Sequence, residues 1–409
     1  MGKSTPYLVV RLILKGQENR GERLPMLLRR DTRLPQVHAM EWVFKRRGAK
    51  VASNTIEGEL RVLGWFGWWL EKEGLSMDDP FKFVDAFTPG RIEASLGPWL
   101  ARDFSDRRVQ KLSVTPEVIR QRLAVVSSYI DWRLDNAMRE LSVRTESTKI
   151  QAMAKIRDSI VVTLATIANT QTSSTRKEGL SRAEVVRLLE VVEPQSYQNP
   201  WARGDSAAAF ALRARNQLIV HLMLAHGARR GDLLKTCTAD VKTHGAEPTL
   251  WIRRRPDDPN DPRKQEPNAK TCERILPLDS SLTRLLNDYI QNHRTKIPGH
   301  KKTPYLLLAT DSGRPLAMRS LNGIFEALAP QFPGIHPHLL RHTHNDCLAE
   351  TCKQMGISAA EATEHAMYLN GWLGDNTGTY TQRTRREAAH RVSRRVQREM
   401  FAPIEDVPF

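Results

Sequence analysis

The stretch NTQTSSTRKEG at residues 169–179 is polar, rich in small side chains and without apolar periodicity, yet long periodic segments lie on both sides of it. Such a stretch reads as a linker. The chain must then build two cores, and 409 residues suffice for both. Before the linker, SNTIEGELRVLGWFGWWLEKEG (53–74) repeats apolar positions at Ile56, Leu60, Leu63 and Gly67, with three tryptophans beside them. Asn54 followed by Glu57 looks like a capping pair at its start. Helical periodicity continues in VIRQRLAVVSSYIDWRLDNAM (118–138) and IVVTLATIA (160–168), while strand-like alternation is scarce. Residues 38–168 are expected to form a helical domain. In residues 1–37, YLVVRLIL reads as extended and RGERLPMLLRRDTRLP as a basic hairpin, together an arm or appendage.

After the linker, Ser181 and Glu184 form the capping box of a new helix, and a longer helix follows through FALRARNQLIVHLMLAHGA. TLWIRRR (249–255) and CERILPL (272–278), separated by a Pro/Asp/Asn-rich loop, predict paired strands. The remainder is helical. It ends in the basic TRREAAHRVSRRVQREM (384–400), where Ala388, Val392, Val396 and Met400 make an apolar stripe. The expected fold class is mainly α with a small β-sheet (α+β), residues 180–409 forming the second domain.

Charge narrows the partners. Lys and Arg number 62 against 46 Asp and Glu, a formal net charge of +16 with an isoelectric point near 9.9. An excess spread this widely favours a polyanion, nucleic acid first. No apolar run approaches the length of a spanning helix, so a membrane is not expected as partner. MGKSTPYLVVRLILKG does not read as a signal peptide, because Arg11 interrupts a short apolar run and no small-residue cleavage site follows. Pro6 breaks the myristoylation pattern. Cys237, Cys272, Cys347 and Cys352 do not make a disulfide framework in so long a chain, and they read as reduced thiols of a cytoplasmic protein.

The chemistry concentrates in HPHLLRHTH (336–344), which has four histidines and one arginine in nine positions. His338 and His342 share a helix face, a spacing that zinc helices use. The interior, however, is Leu339, Leu340 and Arg341, without a carboxylate. A guanidinium beside a divalent cation is unfavourable, and beside a phosphate it is an asset. By itself the segment leaves a metal site, buried imidazoles and a phosphate grip all open.

Three further clusters fall in order around it. GARRGDLL (227–234) offers Arg229 and Asp232, AKTCERILPL (269–278) offers Lys270, and NGWLGDNTGTYTQR (370–383) offers Trp372 and Tyr380. Together these resemble the catalytic domain of the tyrosine recombinases, the phage integrase family, and the preceding helical half resembles their core-binding domain. The His-x-x-Arg-His-Thr box is the most specific part, and Gly-x-Arg-x-Gly-Asp-Leu supports it at the right separation.

The resemblance implies a site-specific DNA recombinase that cuts and rejoins strands through a 3′-phosphotyrosine intermediate. Arg229 and Arg341 would grip the non-bridging phosphate oxygens, and Tyr380 would be the nucleophile. His338 would accept the tyrosine proton or bond the phosphate. Lys270 would protonate the departing 5′ oxygen, with Lys264 in the long loop 256–270 as its competitor. Trp372 would donate its indole N–H, Asp232 would orient Arg229 or cap its helix, and His342 with His344 would support the helix. The Trp372 to Tyr380 spacing is one residue shorter than the common family pattern, and Tyr368 comes too early to stand in. Because the phosphotyrosine link preserves the bond energy, no cofactor and no metal are expected. The implied partners are double-stranded DNA, a homo-tetramer on synapsed DNA, and accessory DNA-bending proteins or sister recombinases. The last helix would dock on a neighbouring protomer. The rivals are a silent DNA-binding accessory factor of the same ancestry and a type IB topoisomerase-like strand-passage enzyme.

Overall fold

The computed structural model describes residues 5–14, 21–79, 87–104, 114–143, 147–170, 178–201, 204–269, 271–372 and 382–401. The chain divides into two compact units, Met1–Thr175 and Arg176–Phe409.

In the first unit, β1 (Tyr7–Ile13) pairs antiparallel with β2 (Arg23–Arg29), Tyr7 opposite Arg29 and Ile13 opposite Arg23. The two strands lie on α2 (Ser53–Lys72), which follows α1 (Val37–Gly48). Tyr7 and Leu27 are buried in the same core as Ile56, Leu60, Leu63 and Phe66. The described part of the first 37 residues is thus one wall of the helical unit rather than a detached arm. Polar contacts fix it there. Tyr7 Oη donates to Glu71 at 2.7 Å, and Arg11 donates to Asn54 at 2.7 Å and to Glu57. Asn54 and Glu57 therefore do not form the expected capping pair. The helix starts after Ala52, which makes no side-chain cap, and both acceptors are taken by the strand arginine. α3 (Pro116–Val143) and α4 (Ser147–Thr170) pack on each other and complete the core, α4 reaching into the stretch read as a linker. Trp69 is buried, whereas Trp65 and Trp68 are half-buried. Trp65 stacks on Phe104 at 4.7 Å, with the Arg122 guanidinium 4.4 Å from its ring.

The second unit begins with α5 (Arg182–Val192), whose capping box is formed: the Ser181 N–H donates to Glu184 Oε2 at 2.8 Å. α6 (Ala207–His226) is buried nearly all round from Leu218 onward, as a central helix must be. The short α7 (Arg230–Lys235) follows it. β3 (Val241–Lys242), β4 (Thr249–Ile252) and β5 (Arg274–Pro277) form an antiparallel sheet in that order, Thr249 opposite Pro277 and Ile252 opposite Arg274. Then come α8 (Ser280–Asp288), α9 (Met318–Leu328), α10 (Pro337–Gln354), α11 (Ala359–Asn370) and α12 (Gln382–Phe401). α10 packs on α6, and α12 packs on α10, α11 and β5.

The apolar stripe of α12 is covered by its own chain. Ala389, Val392, Val396 and Met400 join the core of α6, and Ala388 is only half-buried. His390 Nε2 donates to Ile275 O at 2.6 Å. Gln397 Nε2 donates to Pro277 O at 3.0 Å, and its Oε1 accepts the Asp279 N–H at 2.9 Å. The last helix therefore seals the open edge of β5 within the same chain, a standard protection of an exposed strand, instead of offering the stripe to a neighbour. Among the described residues, no helix is long and apolar enough to cross a membrane.

Candidate active site

Three helix ends converge at this site: the C-terminus of α6, the start of α10 and the C-terminus of α11. α6 ends at His226, and Gly227 adopts φ +55°, a left-handed cap. A Cβ there would lie 2.7 Å from Cδ2 of His344, so the position needs glycine for backbone and for space alike. Two residues on, Arg229 is the N-cap of α7 in extended geometry, which turns its half-buried side chain out of the helix. Arg341 comes from the second turn of α10, whose start is set by His336 at the N-cap and Pro337 at the first position. The C-terminus of α11 supplies the third side of the site.

Both arginines reach the same acceptor. Arg229 Nη1 and Arg341 Nη2 each lie 3.4 Å from the carbonyl oxygen of Asn370, the last residue of α11, and Arg341 Nη1 also donates to Gly227 O. Two helix C-termini, carrying partial negative charge, thus face two guanidiniums. A third, Arg274 of β5, is buried beside them: Nε donates to Leu369 O at 2.8 Å, Nη1 to Thr271 Oγ1 at 2.8 Å, and Nη2 to Asp232 Oδ2 at 3.0 Å. Asp232 caps α7 by accepting the Arg229 N–H at 3.3 Å, and its ion pair is with Arg274, not with the Arg229 guanidinium. Arg229 and Arg341 therefore hold full charges against neutral carbonyls. Burial, then the neighbouring Arg229 and Arg274, push Arg341 down to about 9. Burial also lowers Arg229, partly offset by Asp232. Three guanidiniums gathered around the one described carboxylate, Asp232, suit an incoming phosphate.

His338 stands one turn before Arg341 on α10 and is exposed. Partial burial, followed by Arg230, His336, Arg229 and Arg341, lowers its pKa, so the imidazole is neutral at pH 7 and able to accept a proton. Trp372 is 49% exposed, its ring centroid 5.4 Å from the Arg341 guanidinium carbon. Its backbone N–H donates to Met367 O at 2.8 Å, which ends α11. His342 is half-buried on α10; the histidine that ties α10 to α6 is His344, whose Nδ1 donates to Leu224 O at 3.0 Å. Tyr368 Oη donates to Ile275 O at 3.1 Å, an engagement with β5. Lys270 and Tyr380 lie outside the described residues, and Lys264 is exposed on the loop. The residues flanking position 270 are held at the site. Ala269 is buried, Thr271 Oγ1 donates to Asp232 Oδ1 at 3.3 Å, and the Cys272 N–H donates to Gly371 O at 3.1 Å.

Residues 180–363 match the sequence profile of the phage integrase family. The matched stretch lies within the second unit. No curated protein matches the chain. Among solved structures, the chain is similar to the Tn1549 transposon integrase in complex with circular intermediate DNA. That match has 13% identity and TM-score 0.47, covering 86% of this chain and 99% of that one. It is also similar to XerH recombinase bound to difH, with 12% identity and TM-score 0.35 over 85% and 97% of the two chains. The integrase of mycobacterium phage Brujita matches with 14% identity and TM-score 0.33 over 89% and 97%.

Two groups of this site escape a reading of the sequence. Arg274 sits in CERILPL, where it reads as a strand residue, and only the fold shows it buried between Asp232 and the end of α11. The Asn370 carbonyl has no sequence signal, since every residue carries one.

Proposed function

We propose that the protein is a site-specific DNA recombinase that breaks and rejoins strands through a 3′-phosphotyrosine. The observation that carries this reading is the convergence of Arg229 and Arg341, both in the stretch that matches the phage integrase family, on one backbone carbonyl. On DNA the two guanidiniums exchange that carbonyl for the non-bridging oxygens of the scissile phosphate. As Tyr380 Oη attacks phosphorus, charge grows on those oxygens and the pair stabilises it. His338, neutral before reaction, receives the tyrosine proton. Trp372 donates its indole N–H to the phosphate from the open side of the site. Lys270 gives a proton to the departing 5′ oxygen; the anchored neighbours Ala269 and Thr271 favour it over the exposed Lys264. Asp232 acts at one remove, by holding Arg274 and the start of α7. The covalent link conserves the energy of the phosphodiester, so religation by the freed 5′ hydroxyl is its reversal and requires no cofactor. The duplex is held through the protein's positive charge, and four copies exchange strands between two duplexes.

The test uses a nicked duplex spanning the ends of the element that carries the gene. Wild-type and Tyr380→Phe protein are incubated with it and denatured in detergent. The expected result is a protein–DNA adduct in the wild type alone, mapped by peptide mass spectrometry to Tyr380. Tight binding without adduct would leave a silent accessory factor in its place.

A further inference from the structure

Beneath the loop that leads to Lys270 lies a buried network of charges that the reaction just described does not use. Lys235, the last residue of α7, is 1% exposed. Its Nζ stands 3.0 Å from Asp261 Oδ2 and 3.9 Å from Asp258 Oδ2, and contacts Glu266 Oε1 directly. Arg263 clasps Asp261 with Nε and Nη2 at 2.8 Å each, and donates to Leu316 O and Leu234 O. Tyr305 Oη donates to Asp258 Oδ2 at 2.6 Å, and Glu266 accepts the N–H groups of Asp257 and Asp258 at 2.9 Å each. An apolar plug would hold a loop with less desolvation cost. A charge network instead admits one arrangement, because any slip leaves a buried charge unpaired. The loop's far end is fixed just as closely. A Cβ on Gly231 would fall 2.2 Å from Asn268 O, so the loop backbone lies against the first turn of the helix that Arg229 caps.

We infer that Lys235 is a positioning residue: through Asp261 and Glu266 it holds loop 256–269 on α7 and so sets where Lys270 delivers its proton. The inference rests on the reading of Lys270 as general acid. In that step the bond from Tyr380 Oη to phosphorus forms as the bond from phosphorus to O5′ breaks, and the departing oxygen takes a proton from the Lys270 ammonium. A small displacement of the ammonium slows this transfer while leaving DNA binding intact.

The full chain is tested on nicked duplexes bearing either oxygen or sulfur at the 5′ bridging position of the scissile phosphate. A thiolate leaves unprotonated because thiols are far more acidic than alcohols. Lys235→Met and Glu266→Gln are expected to slow cleavage of the oxygen substrate by about 10- to 100-fold. On the sulfur substrate both should return to within about threefold of wild type, with DNA affinity unchanged throughout. Lys270→Ala should show the same pattern with a larger defect. Should Lys270→Ala stay slow on sulfur, the acid assignment falls, and the inference with it. Should Lys270→Ala be rescued while the other two are slow on both substrates, or normal on both, the positioning role alone is overturned. Glu266→Gln preserves shape, and keeps the experiment decisive if Lys235→Met does not fold.

Discussion

Arg341 is 6% exposed and stands near Arg229 and Arg274, and its guanidinium is held at about 9 mainly by burial, then by those two cations. It is still protonated at neutral pH, so the site carries positive charge where the phosphate would bind. Arg341→Met is expected to lower single-turnover cleavage by about 10²- to 10³-fold, the usual effect of losing one transition-state donor. Affinity for DNA should change little, because one phosphate contact is a small part of the whole; an equal loss in Kd would make Arg341 a binding residue only. Arg274 plays the opposite part. Its removal leaves Asp232 buried and unpaired, so Arg274→Met should cost about 3–5 kcal/mol in urea unfolding, and an unchanged midpoint would rule the pair out as an anchor. At this scale the sequence exposes Arg229, His338 and Arg341 because their spacing is a motif. It hides Arg274, because what distinguishes a buried hub from an ordinary strand arginine is the company it keeps after folding.

Helix ends, more than helix bodies, build the site. Gly227 closes α6 with a positive φ and lets the His344 ring approach, and its carbonyl receives Arg341. Gly227→Ala should destabilise the second unit by about 1–3 kcal/mol from the left-handed backbone and the crowded ring. A denaturant midpoint equal to wild type would show that the cap can relax. Periodicity made the helices and strands of both units readable. The failures came where an isolated pattern met a tertiary partner. Asn54 and Glu57 have capping spacing, yet Arg11 of β1 takes both. The first 37 residues look like an arm because nothing local says that Tyr7 and Leu27 enter the core of α2. The stripe on α12 was legible as apolar, but its covering surface, β5 and α6, lies far away in the chain.

The whole molecule combines a net positive charge with uncharged imidazoles inside. Burial holds His221 and His344 at about 4 and His226 well below the usual imidazole range. In the unfolded chain these groups titrate near 6.5. Between about 4 and 6.5 the unfolded state therefore binds more protons, and stability falls as pH drops through that window. The expected loss is on the order of 2–3 kcal/mol for each of His221 and His344, read by urea unfolding at stepped pH; a flat profile would contradict their burial. The net charge of +16 was plain from composition and should give DNA binding a log–log salt slope of about −5 to −10. The claim on which everything turns is that Arg229 and Arg341 act by neutralising charge on the scissile phosphate. The most direct measurement is single-turnover cleavage of a nicked duplex in which one non-bridging oxygen of that phosphate is replaced by methyl, which removes the charge. Arg341→Met should be defective on the phosphate and regain most of the lost rate on the neutral methylphosphonate. An equal defect on both substrates would show that the arginine pair shapes the site without stabilising the charge that forms in it.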